Sequence, residues 1–339
     1  MGARGAWLEH LGPIWFVPVM GMSGLALAWR QAQPLLGQSA LWVAAALGAG
    51  AALGFALLLV LSAWRLWRWP QSGRIEWMHP LRYVFLAAPT ASMILLATLG
   101  LALEPLLAVP RAWMDALWCL GAVLQAALTL GVLWRWQRLR AARWPGVTPG
   151  LLIPVVGNVL VPLAGVPLGH TDWAWLQWAL GVALWPLVGV LVLLRLQRIG
   201  PWPARLRASV FVWVAPPSVI GLGLLQGGVS GLWPLLLWGL ALVFVGLALR
   251  QLPGCFEQPF GMPMWSLSFP LAAFATLSLR LAQAGWLPEV LGLLALALVS
   301  MGVAALLRWT AWGLRRGDLL LPEPSPAGVA APMAPRPGA

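Results

Sequence analysis

The sequence predicts an all-α polytopic membrane protein, whose ten transmembrane helices form five helical hairpins in a quasi-five-fold ring. Three observations support this fold class. Of the 339 residues, 61% are hydrophobic and 9% are charged, whereas ordinary soluble domains carry about 25% charged residues. Ten apolar runs are long enough, or nearly so, to cross the hydrocarbon core of a bilayer, which takes roughly 17–25 helical residues. Every second run contains a proline near its middle.

Short polar gaps separate the ten runs and define the predicted domain organisation. A cytoplasmic N-terminus (1–13) precedes a transmembrane domain (14–310), and a Pro/Ala-rich, disordered cytoplasmic tail (311–339) follows it. The tail lacks a periodic apolar face, as disordered segments do. The predicted spans are 14–29, 40–64, 83–103, 113–134, 148–167, 173–194, 209–226, 233–249, 264–284 and 288–307.

All 21 basic side chains other than histidine are arginines, and their placement predicts the orientation of the chain. Eighteen of them lie at the start of the chain or after an even-numbered span, and only Arg30, Arg111 and Arg280 lie on the other side. Arginine-rich short loops remain in the cytoplasm. Both termini are therefore predicted to be cytoplasmic. Arginines in such short gaps do not form a basic groove, so no nucleic-acid partner is predicted.

Prolines in the odd-numbered spans predict two classes of helix. A proline inside a helix removes one backbone hydrogen bond, and in lipid that loss is costly unless protein or water covers the site. The broken spans are therefore predicted to be kinked and shielded around a central pore, with the unbroken spans facing lipid. The alternative is coincidence, because proline is common in membrane helices. The predicted pore kinks are Pro18, Pro89, Pro154, Pro216 (next to Pro217) and Pro270, which lie 71, 65, 62 and 54 residues apart.

Small residues are the candidates for the pore wall. The first, third, fifth and seventh predicted spans contain no Asp, Glu, His or Arg, so a buried proton relay of the kind found in pumps is not predicted. A weakly polar wall suits an ion that enters and leaves quickly. For each polar candidate, an interhelical hydrogen bond is the alternative role. The candidates are Gly21, Ser23, Gly24, Thr90, Ser92, Gly157, Asn158, Ser218, Ser266 and Ser268.

No metal site, cofactor or catalytic group is predicted. The two cysteines, Cys119 and Cys255, lack the spacing of a metal motif or of a disulfide framework. The three histidines lie in loops or at span ends, and the nine acidic residues are scattered without a cluster inside a span. A membrane-embedded enzyme is therefore a disfavoured class of function. A scaffold that transports nothing is disfavoured too, because it would leave the alternating prolines unexplained.

Four segments carry a resemblance to a known family. The ninth span and the residues before it read QPFGMPMWSLSFPLAAFATLSLRLA (258–282), and the fifth span reads TPGLLIPVVGNVLVPLAG (148–165). Further support comes from HPLRYVFLAAPTAS (79–92) and WFVPVMGMSGLALAW (15–29). These motifs resemble the tellurite-resistance/dicarboxylate transporter family, which includes TehA and the plant slow anion channels. The resemblance covers about residues 10–310.

The resemblance implies ten helices in five hairpins around an anion pore, with one pore in each subunit of a homotrimer. It also implies a gate, because a phenylalanine just before the ninth-span proline closes the pore in this family. The matching residue is Phe269, before Pro270, and Phe274 is the runner-up. The implied cargo is an inorganic anion or a four-carbon dicarboxylate, with tellurite resistance or sulfite export as the associated role. A proton-coupled dicarboxylate carrier is the alternative mechanism.

Overall fold

The computed structural model describes residues 6–137, 144, 146–202 and 204–321, and these residues form helices and connecting turns without a β-strand. Nine helices in this part of the chain are long and apolar enough to cross a membrane. They match the second to the tenth predicted spans. The first predicted span is also helical, but its α-helix has only 15 residues and is not among the nine.

The principal helices alternate between short and long. When the ten principal helices are numbered in chain order, the odd-numbered ones have 9 to 16 residues and the even-numbered ones have 24 to 31. Shorter helices at Ala6–Glu9, Gln33–Leu36, Ser72–Met78 and Pro162–Leu168 precede or connect them. In chain order the principal helices are α1 (Val17–Gln31), α2 (Gln38–Arg68), α3 (Ala87–Ala102), α4 (Arg111–Gln137), α5 (Leu152–Leu160), α6 (Thr171–Ile199), α7 (Ala215–Gln226), α8 (Leu232–Cys255), α9 (Ser268–Gln283) and α10 (Glu289–Arg316).

Each odd-numbered helix follows directly on a 3-10 helix. The 3-10 helices are Pro13–Phe16, Tyr83–Leu86, Pro149–Leu151, Ala204–Val214 and Met262–Leu267. The prolines that the sequence predicts as mid-span kinks lie just beyond these junctions, at the second or third residue of the α-helix. A proline is tolerated there because the N–H groups of a first turn have no partner within the α-helix. These prolines therefore mark a change from 3-10 to α-helix inside each odd-numbered span.

Burial alternates along the chain in step with helix type. In the odd-numbered spans from the third to the ninth, 78% to 83% of the most apolar stretch is buried within the protein. In the even-numbered helices, the corresponding share is 17% to 33%. Nine of the 15 residues of α1 are also buried. The two classes of helix that the proline pattern predicts thus differ in burial, and the even-numbered helices carry the exposed apolar surface.

The contacts between helices follow a regular order. Each odd-numbered helix packs against the even-numbered helix that follows it, which gives the pairs α1–α2, α3–α4, α5–α6, α7–α8 and α9–α10. The odd-numbered helices also contact one another in sequence, as α1–α3, α3–α5, α5–α7 and α7–α9. A further contact joins α9 to α1, the last odd-numbered helix to the first.

Helix α10 extends the ordered part of the chain beyond the predicted tenth span. It ends at Arg316, inside the segment that the sequence assigns to the tail. Residues 322–339, which make up most of that predicted disordered segment, lie outside the described residues. The same holds for several arginines of the topology argument: Arg4, Arg138, Arg140, Arg143 and Arg336.

Two glycines of α1 allow close packing against α9. A Cβ atom at Gly21 would lie 2.1 Å from Ser268 Oγ, and a Cβ atom at Gly24 would lie 3.0 Å from Phe269 Cδ2. Small residues at such positions let membrane helices approach closely. The contact fixes the start of α9, and therefore Phe269, against the middle of α1.

We expect Gly21→Ala to destabilise the protein, because the added methyl group would force Ser268 and α9 away from α1. Overpacking of this kind costs about 1–3 kcal/mol. The measurement is the thermal unfolding midpoint of the protein purified in detergent. The matched control is Gly246→Ala on α8, where nothing lies within 4 Å of the added atom. Equal midpoints for the two variants would contradict the proposed close contact.

Candidate functional site

The odd-numbered helices line an open cavity of about 310 Å³. Helices α1, α3, α5, α7 and α9 each contribute to its wall, together with Pro162–Leu168, and no even-numbered helix does so. Most of the lining residues lie in the C-terminal halves of these helices. The cavity is therefore an internal space at one end of the odd-numbered set.

One face of α9 lines the cavity along its length. Phe269, Ala273, Thr276 and Arg280 all contribute to the wall, and their spacing of four, three and four residues places them on one side of a helix. Phe269 is 5% exposed and packs on Gly24. Eleven residues of α-helix rise about 16 Å, so Phe269 forms the deep end of the cavity and Arg280 lies near its mouth.

The second phenylalanine of α9 points elsewhere. Phe274 stacks on Trp238 of α8, with ring centroids 5.9 Å apart and an interplanar angle of 17°. It belongs to a small apolar cluster with Val214 and Ala241 and is not part of the cavity wall. Of the two phenylalanines that the sequence proposes as a gate, only Phe269 therefore lines the cavity.

The charge on the cavity wall is positive. Among the residues that the structure describes, Arg30 and Arg280 line it, and no Asp, Glu or His does. Arg30 Nε donates to Ala102 O at 2.8 Å, and Arg30 Nη1 donates to Gln33 Oε1 at 2.7 Å. Within the described residues, the Arg280 side chain makes neither a hydrogen bond nor an ion pair. A concave site lined by one sign of charge raises the local concentration of oppositely charged ions.

The hydroxyl groups on the wall bond within their own helices. Thr98 Oγ1 donates to Ile94 O at 2.8 Å, and Thr276 Oγ1 donates to Ala272 O at 2.9 Å. Such bonds to the preceding turn are the usual arrangement for threonine in a membrane helix. Within the described part of the chain, Arg280 is therefore a cavity residue with hydrogen-bond donors that no other protein group engages.

The predicted wall residues other than Gly24 lie away from this cavity. Ser92 Oγ donates to Ala88 O at 2.7 Å, Ser218 Oγ to Val214 O at 2.7 Å, and Ser268 Oγ to Trp265 O at 2.6 Å. Ser23 is fully buried, and its hydroxyl has no hydrogen-bond partner in the described residues. Gly21 packs against Ser268, and Ser266 is buried in the 3-10 helix before α9.

Thr90 and Asn158 form hydrogen bonds with the even-numbered helices α4 and α6 and do not line the cavity. Thr90 Oγ1 donates to Gln125 Oε1 on α4, at 2.5 Å. Asn158 Nδ2 donates to Thr129 Oγ1 on α4 at 2.8 Å, and Gln177 Nε2 on α6 donates to Asn158 Oδ1 at 3.0 Å. The alternative role, an interhelical hydrogen bond, is thus the one that these two residues have.

Gly157 belongs to the same polar network. A Cβ atom there would lie 2.2 Å from the Gln125 amide carbon, so the glycine leaves room for that side chain. Gln125 Nε2 in turn donates to Pro154 O at 2.5 Å. The network therefore joins α3, α4, α5 and α6 near the proline of α5, and Gly157 is not a wall residue of the cavity.

Sequence reasoning missed two groups of residues that the structure shows to be important. It uses Arg30 and Arg280 only to predict the topology. The spacing between Phe269 and Arg280 would have placed these two residues on one face of α9. It also does not single out Gln125 and Gln177. Buried amides inside otherwise apolar spans were the available signal, because such groups need hydrogen-bond partners.

Comparison with known proteins identifies a family of anion channels, which agrees with the positive charge of the cavity wall. A family model described as SLAC1, voltage-dependent anion channel, matches residues 10–314. The chain belongs to this family. Membership in the SLAC1 family confirms the kinship that the four sequence motifs indicate, and it makes the chain a multi-pass membrane protein of an anion channel and transporter family, not of an enzyme family.

Two curated relatives show the extent of the similarity. The tellurite resistance protein TehA homolog of Haemophilus influenzae is 24% identical over 306 residues, which cover 89% of this chain and 90% of that protein. The S-type anion channel SLAH1 of Arabidopsis thaliana is 23% identical over 214 residues, which cover 61% of this chain and 54% of that protein.

We expect Arg280→Gln to lower anion current, because the substitution removes a positive charge from the cavity wall. The reduction should be on the order of tenfold at low ionic strength and smaller at high ionic strength, where salt screens the charge. Bilayer recordings at two salt concentrations measure both effects.

The control for Arg280→Gln is Arg250→Gln, which removes an exposed charge from α8, outside the cavity wall. A reduction that is equal in the two variants, or that does not depend on salt, would contradict a role for Arg280 in attracting anions.

Proposed function

We propose that the protein conducts anions through a pore that begins in the arginine-lined cavity and passes Phe269. The observation that carries this proposal is the cavity itself, which all five odd-numbered helices line with two arginines and no acidic residue. A cation would meet repulsion there, and an anion would meet Arg280. Membership in a family described as voltage-dependent anion channels supports the same cargo.

The proposed architecture is a ring of ten transmembrane helices. The contacts between successive odd-numbered helices, together with the contact between α9 and α1, support a closed inner ring. Helix α1 with its preceding 3-10 helix covers Pro13 to Gln31 and rises about 30 Å. That rise equals the thickness of a typical hydrocarbon core, about 30 Å. We therefore propose that α1 also crosses the membrane, which brings the number of spans to ten.

Phe269 is the proposed gate. Its side chain occupies the deep end of the cavity, is almost fully buried and packs on Gly24. An apolar ring at a narrow point obstructs a hydrated anion, because the ion would shed water without gaining a polar partner. Movement of the ring toward the open space of the cavity would remove this barrier. We propose that the changes from 3-10 to α-helix at the prolines shape the odd-numbered helices around the pore.

We expect Phe269→Ala to increase anion conductance, because the smaller side chain removes the barrier at the deep end of the cavity. The measurement is current in planar bilayers or oocytes, normalised to the amount of protein in the membrane. An increase of roughly tenfold or more corresponds to a barrier lowered by about 1.4 kcal/mol.

Phe274→Ala is the matched control for the gate, since it removes the same ring from the same helix on the side that contacts Trp238. It should lower stability without opening the pore. A wild-type current in a well-expressed Phe269→Ala variant, or an equal increase in both variants, would refute the gate.

The remaining assignments follow the arginine distribution and the relatives. We propose that both termini are cytoplasmic, that the membrane is a bacterial inner membrane, that residues 14–310 form the transport domain, and that the chain assembles as a homotrimer. The cargo is proposed to be inorganic anions or four-carbon dicarboxylates. The name of the tellurite resistance relative makes tellurite resistance, alongside sulfite export, a physiological role to examine.

A proton-coupled dicarboxylate carrier is less well supported. Such carriers use ionisable groups that bind and release the proton, and no carboxylate or histidine lines the cavity. In liposomes, a channel gives anion flux that follows voltage, whereas a carrier gives malate uptake driven by a pH gradient. Flux that depends on the pH gradient would favour the carrier.

A further inference from the structure

Three side chains with metal-ligand chemistry meet outside the anion cavity. Asp115 and Cys119 lie one turn apart near the start of α4, and His170 is the residue immediately before α6. His170 Nε2 is 2.7 Å from Asp115 Oδ1 and 3.7 Å from Cys119 Sγ. Cys119 Sγ is 3.9 Å from Asp115 Oδ1. One carboxylate, one thiol and one imidazole thus converge on a single point.

The distances among these atoms are close to those of a zinc site. Zinc binds carboxylate oxygen and imidazole nitrogen at about 2.0–2.2 Å and thiolate sulfur at about 2.3 Å, in tetrahedral geometry. Neighbouring ligand atoms of such a tetrahedron are therefore about 3.3–3.6 Å apart. Each of the three separations differs from this range by about 0.6 Å or less, which small side-chain rotations would correct.

The surroundings of His170 hold its ring in place. The imidazole stacks on the Trp118 indole, with centroids 4.8 Å apart and an interplanar angle of 7°. Trp118 is fully buried, and its Nε1 donates to Val161 O at 3.0 Å. The His170 backbone N donates to Gly165 O at 2.8 Å. A ring fixed in this way presents its Nε2 toward the carboxylate and the thiol without further ordering, which favours metal binding.

An entry path is also present. The side chains of His170 and Asp115 are 37% and 44% exposed, so an ion can reach them from solution. Arg111, at the start of α4, donates through Nη2 to Pro167 O, and Pro167 lines the cavity. The cluster therefore lies on the same side of the protein as the cavity mouth.

We propose that Asp115, Cys119 and His170 bind a divalent transition-metal ion of the Zn²⁺ class. The three side chains supply three ligands, and water completes the tetrahedron. Cys119 loses its thiol proton to the buffer when the metal binds, since the thiolate is the ligand. The bound ion would link α4 to the start of α6 and so join two adjacent helical hairpins. The spacing in the sequence does not indicate this site, because packing brings together residues that are 51 positions apart.

Cobalt titration tests the site directly. Full-length protein in detergent, carrying an affinity tag without histidine or cysteine, is titrated with Co²⁺ and followed by absorption. We expect visible bands of tetrahedral Co²⁺, together with a near-ultraviolet band from sulfur-to-cobalt charge transfer, at one ion per subunit. Added Zn²⁺ should abolish both by displacement.

Cys119→Ser should remove the charge-transfer band and weaken Co²⁺ binding by about tenfold or more. Cys255→Ser is the matched control, because this other cysteine lies at the end of α8 and donates to Gln251 O. It should leave the spectrum unchanged. If Cys119→Ser does not fold, His170→Gln provides the same test, with the visible bands as the readout.

Thermal unfolding gives a second readout. Zinc at a hundredfold excess over its dissociation constant should raise the wild-type midpoint by on the order of 5 °C and the Cys119→Ser midpoint by less. A wild-type protein with no charge-transfer band would overturn the proposal. So would a band that persists in Cys119→Ser, or one that is lost in Cys255→Ser.

Discussion

The need to satisfy backbone hydrogen bonds in lipid is the constraint on which the fold depends. A proline removes one donor from each odd-numbered span, and the junction between 3-10 and α-helix lies at the same place. Such irregular backbone is tolerated at membrane depth only where protein or water covers it. The odd-numbered helices are accordingly buried, and the even-numbered helices carry the exposed apolar surface, although α6 and α8 contain the internal prolines Pro186 and Pro253. A cavity at the centre follows from this division, because helices that avoid lipid must face one another.

Two sets of polar groups inside this fold differ in how they are hydrogen-bonded. Those between hairpins are paired: Gln125, Asn158 and Gln177 share hydrogen bonds across three helices near Pro154. Model peptides suggest about 1–2 kcal/mol for such a bond in a membrane, so the network contributes to holding outer helices on inner ones. Arg280 is different, because it lies inside a span with its donors turned to the cavity. Buried polar groups are normally satisfied, whereas the Arg280 side chain has no partner among the described residues.

The sequence was sufficient to predict an all-helical chain with apolar helices long enough to cross a membrane. Composition and run length predict the apolar helices, and the proline pattern predicts which of them are buried. The motif around Pro270 singles out Phe269, which lines the cavity, and its role as a gate stays a prediction. The orientation of Thr90 and Asn158 could not be predicted, because helices apolar on all sides give no periodic signal for rotation about their axes. The Asp115, Cys119 and His170 cluster was equally hidden, since only the packing of α4 against the residues before α6 creates it.

The lengths of the two helix classes have a mechanical consequence. Helix α2 has 31 residues and measures about 46 Å, whereas the hydrocarbon core is about 30 Å thick. The outer helices must therefore tilt or extend beyond the core, and the preferred tilt changes with bilayer thickness. Each outer helix is packed along one inner helix, so a change in tilt is transmitted to the helices that line the cavity. We therefore expect the width of the cavity to depend on the acyl-chain length of the surrounding lipids.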